Sequence, residues 1–186
     1  ALGKILFINE NGFFASADML GENIITIGRP GFFVHGPFAS EEFSQGLVAV
    51  VDNLSGLFLY EDTEQIIGPL LGGVRDVAFD EKGEKLLVWG EHSLSVIFLK
   101  LEIEPPFRKK FFKEKIIETK KPIVSAAWYG KDYIVFTTDD GLFGGELGED
   151  SDHIIQTLSD ETGYVTTDTS GVTVINEKGI YRFVIE

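Results

Sequence analysis

The chain has 186 residues, 44% hydrophobic and 12% aromatic, which is enough apolar side chain to bury a core and too much for a disordered segment. Thirty Asp and Glu against sixteen Lys and Arg leave a net charge of -14, which repels nucleic acid and anionic membranes and favours basic partners. The absence of cysteine excludes disulfides and thiolate metal sites and fits an intracellular, cytoplasmic setting; no run reaches the ~18 apolar residues of a membrane helix.

The first predicted element is a hairpin over 5–14, ILFINENGFF, whose two apolar runs flank Asn9, Glu10, Asn11 and Gly12. The short apolar run ahead of that turn lacks the length of a leader peptide, so a soluble chain is expected. Short β-branched and aromatic runs around a turn of Gly, Asn and Asp signal antiparallel strands. A further strand, NIITIG over 23–28, follows. The second group begins with FFVHGPFASEEFSQG, continues in the hairpin LVAVVDNLSGLFLY over 47–60 and closes with EQIIGPLL over 64–71. The third opens on VRDVAFDEKGEKLL, where Val74, Val77 and Phe79 alternate before a charged turn with Gly83; LLVWGEHSLSVIFL and FFKEKIIE complete it. The fourth repeats the order in IVSAAWYGKDY, YIVFTTDDGLFGGEL and HIIQTLS. The fifth has YVTTDTSG and the hairpin VINEKGIYRF over 174–183, with no later apolar run.

Calling the strands of one unit A to D, the first unit lacks A and the last lacks D, which gives eighteen strands. YVTTDTSGVTV also resembles the B-to-C hairpin IVFTTDDGLFG, an alternative register for 163–175. The acidic residues entering the B-to-C turns are Glu10, Asp52, Glu91, Asp139 and Glu177, with a period of about 42 residues. A four-stranded meander at that period predicts an all-β, β-propeller-like single domain over 1–186, of about five blades with incomplete first and last blades. Whether such a ring closes stays open: KILFIN over 4–9 and IYRFVI over 180–185 are poorly defended strand edges, expected to pair with a partner protein or further sequence by β-augmentation.

The stretch GGVRDVAFDEKGEKLLVWGEHSLSVIFLK, 72–100, resembles a WD-repeat blade in its rhythm of apolar strand, charged turn with Gly and alternating C strand. It lacks the Gly-His and Trp-Asp pairs of that family. The resemblance implies a scaffold that displays loops for partner binding.

No catalytic residue is nominated, and no cofactor or metal is expected. His35, His92 and His153 are far apart, without metal-ligand spacing, and read as structural or exposed. Gly72-Gly73 and Gly144-Gly145 have no Lys-Ser/Thr follower and no helix to cradle a phosphate. The turn acids Glu10, Asp52, Glu91, Asp139, Asp140 and Glu177 are expected along one rim, mainly as turn formers. One composition break stands out: Arg108, Lys109, Lys110, Lys113, Lys115, Lys120 and Lys121 supply seven of the sixteen basic residues, either as gatekeepers of an outer strand or as a docking strip for an acidic partner. A non-enzymatic interaction scaffold in an assembly is therefore expected; the alternative is a propeller hydrolase, or a carbohydrate- or Ca2+-binding domain that uses axial acidic loops.

Overall fold

The structure, a computed structural model, describes residues 4–8, 14–28, 38–39, 47–51, 55–61, 64–67, 73–103, 107–148 and 153–184. Every regular element among them is a strand, and among these described residues no helix is long and apolar enough to cross a membrane. Two compact units divide the chain, Ala1–Val77 and Ala78–Glu186.

In the first unit, β1 (Lys4–Ile8), β2 (Phe14–Asp18) and β3 (Ile25–Gly28) form a three-stranded meander. Asp18 builds the β2–β3 turn: one carboxylate oxygen accepts the backbone N–H groups of Leu20 at 3.0 Å and Glu22 at 2.8 Å, and the other takes the Asn23 side-chain amide at 2.8 Å. This carboxylate caps donors that a tight turn would otherwise leave unpaired. The second meander runs β4 (Phe38–Ala39), β5 (Leu47–Val51), β6 (Leu57–Glu61) and β7 (Glu64–Ile67), in that order across the sheet. Its centre carries the fully buried Ala49, Leu57 and Leu59.

The unit boundary falls within β8 (Val74–Phe79), which heads a four-stranded sheet with β9 (Lys85–Gly90), β10 (Ser93–Phe98) and β11 (Phe112–Glu118). The fourth meander is β12 (Ile123–Tyr129), β13 (Tyr133–Thr138), β14 (Gly141–Glu146) and β15 (Ile154–Ser159); the last is β16 (Tyr164–Asp168), β17 (Gly171–Asn176) and β18 (Gly179–Phe183). All neighbouring strands are antiparallel. Among the described residues, five separate sheets of three, four, four, four and three strands therefore stand where the sequence carries its five repeated phrases.

Burial explains why the central strands read as continuous apolar runs. Every residue of β9 is buried, as are five of the six in β10 and in β13, because these strands are covered on both faces. One face of the fourth sheet, with Ala126, Trp128, Ile134 and Phe136, packs with Leu87, Trp89, Leu94, Val96 and Phe98 of the third. Its opposite face, with Val135 and Leu142, packs with Val165, Val172 and Val174 of the fifth. The outer strands are more open: β11 buries only Glu114 and Ile116, and β15 has no fully buried residue.

Between sheets, the edge strands β8, β12 and β16 are also joined by hydrogen bonds. The Trp128 indole Nε1–H donates to the carbonyl of Ala78 at 2.9 Å, and the Thr167 hydroxyl donates to the carbonyl of Trp128. Ala78, Trp128 and Thr167 are each the penultimate residue of their strand, β8, β12 and β16. Two successive intervals, third to fourth sheet and fourth to fifth, are thus each bridged by a side-chain-to-carbonyl bond, and β16 lies beside β12. Lys85 adds an ion pair to Asp132 at 2.5 Å, with its ammonium 6.0 Å from the Trp128 ring centre.

The glycine pair in β14 is explained by packing. A Cβ on Gly145 would lie 2.7 Å from the Ile155 side chain, and one on Gly144 would lie 3.1 Å from that of Leu158, so the two glycines admit β15 side chains on opposite faces of the sheet.

Candidate interaction surface

The basic segment divides into an inward and an outward part. After β10 the chain leaves the sheet at Leu99, whose N–H donates to Glu84 at 2.8 Å, and returns at Phe111, whose N–H donates to Phe98 at 2.6 Å. Between them Glu102 and Arg108 pair as an antiparallel bridge, which makes a short arm of the β10–β11 connection. Phe111 closes it with a φ of 62°, and the Phe112 N–H donates to Lys109 at 2.9 Å.

Arg108 turns inward. Its side chain is only 10% exposed, with its guanidinium 4.3 Å from the Phe98 ring centre. It donates to Glu102 at 2.8 Å and, through Nε, to Glu114 at 3.1 Å. Glu114 and His153 are 5% and 4% exposed; the free carboxylate oxygen of Glu114 faces His153 Nε2 at 3.4 Å, without hydrogen-bond alignment. Nδ1 of His153 accepts the Gly148 N–H at 3.3 Å, which turns Nε2 to the Glu114 side. A buried cation is tolerated only with paired, hydrogen-bonded carboxylates, and two of them surround Arg108. Arg108 is therefore a clamp at the base of the arm and not part of the outward strip, and the cluster joins β11 to the loop before β15.

The lysines point outward. Lys109, Lys110, Lys113, Lys115, Lys120 and Lys121 are all exposed. Lys115 pairs with Glu118 on the same strand, and the Lys110 ammonium lies 4.9 Å from the Phe111 ring centre. Burial, then the neighbouring charge of Lys115, holds the Lys113 ammonium below the usual lysine range. Lys120 and Lys121 sit in the link to β12, where Thr119 donates its hydroxyl to the Lys121 carbonyl at 2.7 Å.

Of the turn acids, Glu10 and Asp52 lie outside the described residues. Glu91, Asp139, Asp140 and Glu177 are exposed in the β9–β10, β13–β14 and β17–β18 turns. Their chemistry is that of turns: Asp140 N–H donates to the Thr138 hydroxyl at 3.1 Å, and the Glu91 carbonyl accepts the N–H of Ile123 at 2.7 Å, tying one sheet to the start of the next. The Ser55 carbonyl accepts the Val74 N–H in the same way at 3.0 Å. Among the described residues no group of three or more His, Cys, Asp or Glu side chains is placed to hold a metal ion.

Sequence reasoning missed the Arg108–Glu114–His153 cluster. The only signal available was a pair of carboxylates, Glu102 and Glu114, each six residues from the same arginine. No protein-family model matches the chain, and no curated protein matches it.

Proposed function

We propose that the chain is a non-enzymatic interaction scaffold of the cytoplasm, a β-propeller-like stack of meanders with WD-repeat rhythm that works as one subunit of a protein assembly. The observation that carries this reading is the repeated link from Ala78 to Trp128 to Thr167 between the third, fourth and fifth sheets, which supports a blade-like order through β8, β12 and β16. A stack of this kind leaves turns and outer strands for recognition. The fifth sheet ends at β18, whose outer edge has no strand partner among the described residues, whereas the corresponding edge of β14 is covered by β15. Tyr164, Ile175 and Ile180 form an exposed row across that sheet. In this reading a strand of a partner protein adds to β18.

The test is size-exclusion chromatography with light scattering, joined to hydrogen exchange. The isolated chain should associate at micromolar concentration or leave the amides of β18 poorly protected, with protection rising when a partner strand is supplied. A stable monomer in which both terminal strands are already protected would overturn completion by a partner.

A further inference from the structure

The β10–β11 arm presents a surface of mixed character. Around the Glu102–Arg108 bridge, alternation sends those two side chains inward and their neighbours outward. Leu101, Ile103 and Phe107 are 63%, 76% and 74% exposed, and Lys109 and Lys110 stand beside them. Isolated apolar side chains at a surface require no explanation, but three on one arm, next to lysines, form a patch. The arm is held in place by the Arg108 clamp, so these groups are pre-set for binding at a reduced ordering cost. The positive charge of this segment, with seven of the sixteen basic residues, stands out on a chain of net charge -14.

We propose that this arm docks an acidic segment of a partner protein, whose apolar side chains cover Leu101, Ile103 and Phe107 while its carboxylates meet Lys109, Lys110 and Lys113. The proposal rests on the scaffold reading and names the chemistry of one partner. A protein segment is favoured over an anionic membrane because the remainder of the chain, acidic in excess, opposes approach to a broad anionic plane but not to a narrow strand. Apolar anchors in the centre with charges at the rim are the usual division between affinity and steering.

The test uses the full chain and three synthetic peptides followed by fluorescence anisotropy: one alternating Glu with Leu and Phe, one with Glu replaced by Lys, and one with Leu and Phe replaced by Ser. Vesicles containing phosphatidylserine serve as the membrane arm. The first peptide should bind, with affinity falling about tenfold in Lys109→Glu/Lys110→Glu and about tenfold in Phe107→Ser, and weakening as salt rises. The other two peptides should bind at least about tenfold more weakly. All altered side chains are exposed, so melting temperatures should stay at the parent value and loss of binding cannot be ascribed to unfolding. Equal binding of the Lys peptide, indifference to the arm substitutions, or vesicle binding that exceeds that of the acidic peptide would each overturn the proposal. None of these outcomes touches strand addition at β18, which is measured separately by hydrogen exchange.

Discussion

Replacing Glu114 by Leu should destabilise the second unit far more than replacing Glu114 and Arg108 together. Glu114 is 5% exposed and accepts from the Arg108 guanidinium, itself 10% exposed. Removing one member of a buried pair strands the other charge, typically at 3–5 kcal/mol. Arg108 retains Glu102 at 2.8 Å, and that carboxylate is 33% exposed, so the lower end applies: about 3 kcal/mol for Glu114→Leu. Arg108→Met/Glu114→Leu removes both charges and keeps apolar volume over Phe98, and its stability should lie within about 1 kcal/mol of the parent. Urea unfolding followed by tryptophan fluorescence suits the measurement, because Trp89 and Trp128 are both buried in the core shared by the third and fourth sheets. A cost below about 1 kcal/mol for Glu114→Leu, or a double variant as unstable as the single one, would refute the clamp.

Trp128→Phe keeps most of the ring but removes the donor to the Ala78 carbonyl, and should cost about 1–3 kcal/mol in the same urea assay. Gly141→Ala places a Cβ 2.3 Å from the Ser159 backbone oxygen at a φ of +135° and should lower the melting temperature well beyond Gly130→Ala, where φ is +68° but the space is open. Asp168 accepts from Ser170 and then from Arg182, which hold its carboxyl well below the usual range. Its folded pKa thus lies under the unfolded value of about 4, so its stabilisation is complete above that pH and is lost as pH falls through the folded value; Asp168→Asn should flatten the acid limb of a stability-against-pH curve below about pH 4.

The strands were legible because a tight turn between apolar runs is a local signal: Glu91 and His92, or Asp139 and Asp140, lie within a few residues of everything that makes their hairpins. What sequence could not supply was the pairing of distant polar groups. Arg108 looked like one more member of a basic strip because charge counting is blind to direction, and its inward turn depends on Phe98, Glu102 and Glu114 converging around it. His153 reaches Glu114 only after the fourth sheet has packed on the third. The role of Gly144 and Gly145 likewise became visible only once Leu158 and Ile155 lay against them.

The two interfaces of the fourth sheet are unequal, and that inequality sets an order of opening. Against the third sheet it presents Trp128 and Phe136 to Trp89 and Phe98; against the fifth it offers Val135 and Leu142 to three valines. Less apolar area is removed from water on the second side, so the fifth sheet should detach first, by a local excursion that leaves the other interface intact. Native-state hydrogen exchange would then resolve β16–β18 as a distinct low-energy foldon, exchanging ahead of β9, β10 and β13. Since the fifth sheet packs on the fourth and the fourth on the third, anything that grips the fifth sheet would also shield the valine face of the fourth and slow its opening.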